Sequence, residues 1–132
     1  MDVHLPQWTL ETLHWAEIAA AGTRYTLLEG RRDQAGVPFT YAFFLPAGFW
    51  DAPHWHSAAA EVTVLQGTLR LGYGDTLHHP ATQAYGIGTT LVVPAHAVHF
   101  DGADEDTVII GRAVGPWTTT YVNPLDTPSA GT

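Results

Sequence analysis

The sequence predicts an all-β domain, a barrel or sandwich of short strands. Three observations carry this. Strand-like runs rich in β-branched and aromatic residues recur at spacings of roughly 8–12 residues. Thirteen glycines and nine prolines are spread along the chain and punctuate those runs. Hydrophobic residues make up 45% of the 132 residues and charged ones 14%, a balance that favours a packed core over disorder. That length is one domain's worth, so residues 1–132 read as a single domain with its barrel core over about residues 25–122. A chain of this size buries a core without disulfides or structural zinc.

Taken in order, Leu10 to Ala21 is the one stretch that reads as a short helix, or equally as a strand and irregular loop. Tyr25–Leu28 reads as a strand, and residues 29–38, charged and carrying Gly30 and Gly36, as a turn. Phe39–Leu45 is aromatic and β-prone until Pro46-Ala47-Gly48 breaks it. An extended segment follows at His54–His56, then a β-branched run at Glu61–Leu65 ended by Gly67. Thr68–Tyr73 alternates and stops at the turn pair Gly74-Asp75. Residues 76–86 read as loop. Thr89–Val93, Val98–Phe100, Thr107–Val114 and Trp117–Val122 complete the strands, with a solvated acidic loop expected at Asp101–Asp106. The tail, residues 124–132, is expected to be mobile.

Composition narrows the chemistry. The net charge is −8 with five arginines and no lysine, which argues against nucleic-acid binding, because phosphate contacts need clustered cations. No apolar run approaches the ~20 residues of a membrane span, and Met1-Asp2-Val3-His4 has no signal-peptide character, so a cytoplasmic location is expected. Without cysteine there is no thiolate nucleophile or zinc-thiolate site. Without lysine there is no Schiff base. The two serines, Ser57 and Ser129, sit in no nucleophile elbow. Eight histidines remain as the chemical resource.

His54 and His56 stand two apart in an extended segment, so both side chains share one face. Their Cα atoms would lie ~6.6 Å apart at ~3.3 Å per residue. From there two imidazoles can converge on one ion at ~2.1 Å. Alone, such a pair is weak, since two rings at a strand edge fit the pattern equally well. Its surroundings strengthen it: Gly48 lies before His54, Gly67 ends the next strand, and Gly88, Pro94 and His99 follow downstream.

With those spacings the sequence resembles the cupin family. Its first motif is a glycine, five residues, His-x-His, three or four residues, a glutamate, six residues and a glycine. Its second is a glycine, five residues, Pro-x-Gly, two residues, a histidine, three residues and an asparagine. The corresponding stretches read GFWDAPHWHSAAAEVTVLQG over residues 48–67 and GTTLVVPAHAVHFDGA over residues 88–103. Nearly the whole chain shares the resemblance, including GTLRLGYGD and GPWTTTYVNPLD. It implies a single jelly-roll (double-stranded β-helix) barrel with one divalent metal ion on His54, His56 and His99, Fe(II) being the first choice and Zn, Ni or Mn the others.

The departures matter as much. The glycine after the family proline is His96 here, and the family asparagine is Ala103. Counted back from Gly67, the glutamate position falls on Ala60; counted forward from His56, it falls on Glu61. In a regular strand these two residues face opposite ways, so Glu61 reaches the metal only through a bulge. Glu61 is thus a candidate ligand or general acid–base group, and the default is a three-histidine site, which would resemble diketone-cleaving and thiol dioxygenases. His96 is either an acid–base group beside the metal or a loop residue facing water. His4, His14, His78 and His79 are expected at the surface. Trp50, Trp55, Phe43, Phe44, Phe100 and Trp117 are expected in the core or an interface, some of them lining the barrel.

The expected function is a metal-dependent enzyme on a small molecule, first an oxygenase acting on an enolate- or ketone-bearing substrate. The alternatives are a non-redox lyase, isomerase or cyclase, and a non-enzymatic metal- or ligand-binding sensor. Neither nucleic acid nor membrane is an expected partner, and the expected assembly is a homodimer packed barrel against barrel.

Overall fold

A computed structural model describes residues 7–128. Eleven strands and two short 3₁₀ turns account for its regular structure. In chain order the strands are β1 (Glu17–Ile18), β2 (Arg24–Gly30), β3 (Pro38–Leu45), β4 (Trp50–His56), β5 (Ala60–Gln66) and β6 (Leu69–Tyr73). They continue with β7 (Gln83–Tyr85), β8 (Thr90–Val93), β9 (His99–Gly102), β10 (Thr107–Val114) and β11 (Thr119–Tyr121). They form two antiparallel sheets, one in the order β1-β2-β3-β10-β5-β8 and the other β11-β4-β9-β6-β7. The two sheets face each other across the apolar interior, a jelly-roll arrangement that protects most strand edges.

The central strand of the larger sheet is β10, TVIIGRAV, a β-branched run suited to a half-buried pleated surface. It pairs with β3 along its whole length, from Thr107 opposite Leu45 to Val114 opposite Pro38. Strand β5 lies on its other flank and alternates strictly: Ala60, Val62 and Val64 are buried, while Glu61 is exposed. With Leu45, Leu69, Leu71 and Val93 these inward residues form the core. Gly67 makes the turn into β6 at φ +74°, and a Cβ there would collide with the Asp106 carbonyl and the Thr107 side chain. The glycine is therefore fixed by both conformation and space.

Four regions depart from the expected elements. The stretch Leu10–Ala21 forms no helix: it takes its irregular alternative, with β1 pairing to Tyr25 and Arg24 and Trp15 contacting the Phe44 ring. Tertiary pairing outweighs the modest local helix propensity. Within the expected loop 76–86, Gln83–Tyr85 forms β7 against β6. The expected acidic loop begins later, because β9 runs on through Asp101 to Gly102. Of the tail, Pro124–Asp126 forms a 3₁₀ turn capped by the Asn123 side chain, and residues 129–132, like His4, lie outside the described residues.

Candidate metal centre

Strands β4 and β9 of the smaller sheet bring the three histidines together. His54 stands directly opposite His99 in the ladder, and His56 lies two residues further along β4 on the same face. Each offers one nitrogen, and the three nitrogens lie within 4.8 Å of one another. The other ring nitrogens are occupied. Nδ1 of His54 meets the Ala52 carbonyl at 2.6 Å, and Nδ1 of His99 meets the Ala97 carbonyl at 2.9 Å. A carbonyl can only accept, so each Nδ1 donates and leaves a free lone pair on Nε2 of the neutral ring. His56 Nδ1 lies 3.0 Å from the Thr119 hydroxyl on β11. Ring orientation is thus set at all three histidines, and the tautomer at His54 and His99, where the partner is a carbonyl.

Two carboxylates join the cluster that the sequence reading did not include. Asp51 Oδ2 lies 3.7 Å from His54 Nε2, and Asp101 Oδ1 lies 3.8 Å from the same atom. Asp51, His54 and Asp101 therefore make a second potential donor group sharing His54 with the first. Asp101 follows His99 by two residues on β9, so it was findable by strand parity once the strand was known to continue. Asp51 was not, because it stands three positions before His54 and a regular strand would turn it outward. The register between β4 and β9 shifts between these two residues. Pro53, which has no N–H for the ladder, sits within the shifted stretch.

Burial and mutual charge set the protonation of these groups. His56 is pushed down to about 3, first by burial and then by the neighbouring His54 and His99. His99 is also lowered by burial, partly offset by Asp101. Asp51 is pushed up to about 6, first by burial and then by Asp101, against the opposing His54 and Tyr121. The Tyr121 hydroxyl donates to Asp51 Oδ1 at 2.7 Å, and burial together with the Asp51 charge raises the phenol.

The donor set fits a divalent cation. Three imidazole nitrogens converge, and Asp101 Oδ1 is buried without a hydrogen-bond partner. An orphaned buried carboxylate oxygen is costly, and a cation beside it removes the cost. His54, His56 and His99 would hold the ion, with Asp51 and Asp101 at its margin.

The cluster opens into a cavity of about 280 Å³ between the sheets. Phe39, Tyr41, Phe43, Val62 and Ile109 line it from the larger sheet, and Trp117 closes one side. The Trp117 ring stacks on His56 at 4.2 Å and meets Phe39 edge-on at 5.8 Å. Of the expected aromatics, Phe43 and Trp117 line this cavity while Phe100 is core.

Two candidate residues lie away from it. Glu61 is on the outer face of β5, opposite Arg112 and Val92 in the neighbouring strands, while its neighbour Ala60 points into the cavity. No bulge at this point of β5 turns the carboxylate inward. His96 is exposed on the turn before β9 with φ +64°, its N–H bonded to the His56 carbonyl and its ring 5.3 Å from Trp55. It braces β4 from outside the cavity. His14, His78 and His79 are exposed, and His79 stacks on Trp50.

Such a barrel, with histidines from two adjacent strands converging beside an apolar interior, is a jelly-roll with a candidate metal centre. Residues 37–113 match the Cupin family model, and the chain belongs to that family. No curated protein matches the sequence. Solved structures share the fold. The polyketide cyclase RemF from Streptomyces resistomycificus superposes with a TM-score of 0.70 at 19% identity, covering 91% of this chain and 87% of that one. A Methylibium petroleiphilum protein provisionally assigned as an acetylacetone dioxygenase gives 0.66 at 21% identity, covering 98% and 89%. KdgF from Halomonas sp. gives 0.61 at 16% identity, covering 81% and 93%. At these identities the likeness is one of fold.

Proposed function

We propose that this cupin is a metal-dependent enzyme acting on a small, largely apolar carbonyl compound, and that its chemistry is proton transfer at an enolisable carbon. The reading therefore favours the lyase, isomerase or cyclase class over the oxygenase. One observation carries it: a hydrogen-bonded Asp51–Tyr121 pair stands beside the three histidines on the wall of a largely apolar cavity. The ion, held by His54, His56 and His99, would supply Lewis-acid polarisation of a substrate carbonyl. The protein's own groups do the rest. Asp51 accepts a proton from the substrate carbon, and its hydrogen bond to Tyr121 keeps the carboxylate oriented. Asp101 raises the proton affinity of Asp51 by its adjacent charge. The aromatic walls exclude water and orient a flat substrate.

The oxygenase remains a second reading, favoured by the all-imidazole ligand set, which leaves the ion's full charge in place and suits iron. Metal analysis combined with two assays separates them. With a cyclic β-diketone in D₂O, the first reading predicts protein-dependent exchange of the α-proton without oxygen uptake, lost in Asp51→Asn. Oxygen consumption stoichiometric with substrate loss would establish the second. The assembly we propose is a homodimer; a monomer mass in light scattering at micromolar concentration would contradict it. Among the described residues no helix is long and apolar enough to cross a membrane.

A further inference from the structure

One arginine lines the cavity among the described residues. Arg32 is half-buried in the loop between β2 and β3 and has no carboxylate within ion-pair distance among the described residues; Arg24 and Arg112 also lack one there, but neither lines the cavity. Its position is fixed. The Trp117 N–H bonds the Arg32 carbonyl at 2.8 Å, and Gly115 bonds Gly36 and Val37 through its carbonyl and N–H. The guanidinium lies over the Tyr25 ring, 5.0 Å from its centre. The Tyr25 hydroxyl is itself buried without a hydrogen-bond partner. A cation without a carboxylate partner and a phenol hydroxyl whose nearest charge is that cation thus share one wall of the cavity, opposite its acidic end, in a protein of net charge −8. Charged groups in such sites are normally paired, and the missing partner is an anion.

A continuous aromatic wall joins this point to the histidines. Tyr25 stacks on Tyr41 at 5.7 Å, Tyr41 meets Trp117 at 6.2 Å, and Trp117 stacks on His56 at 4.2 Å. Tyr41 lies flat across Gly111 of β10, where any Cβ would strike the ring. Tyr41 and Trp117 are inclined at 49° to each other, so each offers its own ring face to a ligand, and the cavity's 280 Å³ lies just below the usual range of ligand pockets, about 300–1,000 Å³.

We infer that Arg32 is a substrate-anchoring residue, and that the cavity takes a small flat aromatic anion whose carboxylate docks on Arg32 while its rings lie along Tyr41 and Trp117. The inference rests on the cavity being the substrate site, as proposed above, and needs no metal for the anchoring itself. Guanidinium meets carboxylate through two parallel N–H bonds, so charge and shape are both read. A neutral ligand of the same outline gains the stacking but not the pairing.

The test is binding of 1-naphthoate and its neutral isostere 1-naphthamide, followed by quenching of tryptophan fluorescence and by calorimetry. Wild-type protein, zinc-loaded and chelator-treated, is compared with Arg32→Met and Arg32→Lys. The expected result is naphthoate binding in both metal states, weakened about 10- to 100-fold by Arg32→Met and less by Arg32→Lys. Naphthamide binding should be unchanged by either substitution. Circular dichroism and the thermal midpoint check that each variant is folded, and Arg32→Lys keeps the test decisive if Arg32→Met is not. Equal naphthoate affinity in wild type and both variants would overturn the inference, as would no binding to wild type at millimolar concentration. If binding requires zinc and ignores Arg32, the anion sits at the metal, so the anchor falls while the metal centre stands. If the Arg32 effect appears in protein that takes up no zinc, the anchor stands and the metal reading falls.

Discussion

The two sheets contribute unequal chemistry to one cavity. Every titratable group of the histidine cluster comes from the smaller sheet: Asp51, His54 and His56 on β4, His99 and Asp101 on β9, and Tyr121 on β11. The facing part of the larger sheet is apolar, with Phe39, Phe43, Val62 and Ile109 at its centre and phenol hydroxyls from Tyr25 and Tyr41. Stability and reactivity are therefore separable here. Core packing and the cavity's hydrophobic wall reside largely in one sheet, while the polar groups that cost stability are concentrated in the other, where all but Asp101 Oδ1 are held by hydrogen bonds within that sheet and its adjoining turn.

Substitutions on either side should therefore move different observables. The largest expected effect is Phe39→Ala, which empties a position only 1% exposed. It should cost about 3–5 kcal/mol of stability in urea denaturation while leaving zinc stoichiometry unchanged; metal loss in a folded variant would break the division. Across the cavity, His56→Ala should do the reverse. Zinc affinity should fall by more than ~100-fold, beyond what changes around a ligand cost, with little change in the urea midpoint of the metal-free form. A smaller effect is expected from Thr119→Val, which leaves His56 Nδ1 without its hydroxyl partner. Zinc affinity measured by chelator competition should drop about 10- to 100-fold, and an unaltered value would mean that packing against Trp117 alone orients the ring. The smallest is Glu61→Gln on the exposed face of β5. Stability should stay within about 0.5 kcal/mol and zinc affinity should not move; a large loss of affinity would mean that β5 takes another register in the metal-bound protein.

The contrast between β5 and β4 also explains what was readable from the sequence. Strand β5 keeps a period of two, so counting back from Gly67 put Ala60 inside and left Glu61 outside unless a bulge intervened, and the barrel matches that parity. The all-β class and most strands followed from β-branched runs between glycines and prolines, which bind local sequence to local structure. His54, His56 and His99 were legible because their spacing obeys the same parity within each strand and a known motif spans the two. Asp51 was hidden because a register shift around Pro53 breaks that parity. Asp101 was hidden because a run of acidic residues reads as solvated loop, and only pairing with Asp51 and Leu71 keeps it in β9. Arg32 lies in a loop placed by main-chain bonds to Trp117 and Gly115, contacts far apart in sequence that no local pattern encodes.

The central claim is that His54, His56 and His99 form a metal centre. It is tested most directly by metal analysis of the wild-type protein purified without chelators, followed by zinc titration of the chelator-treated form. Close to one equivalent of a divalent metal per chain is expected as purified, with a single high-affinity zinc site on titration. Protein that carries no divalent metal and takes up no zinc, while remaining folded, would contradict it.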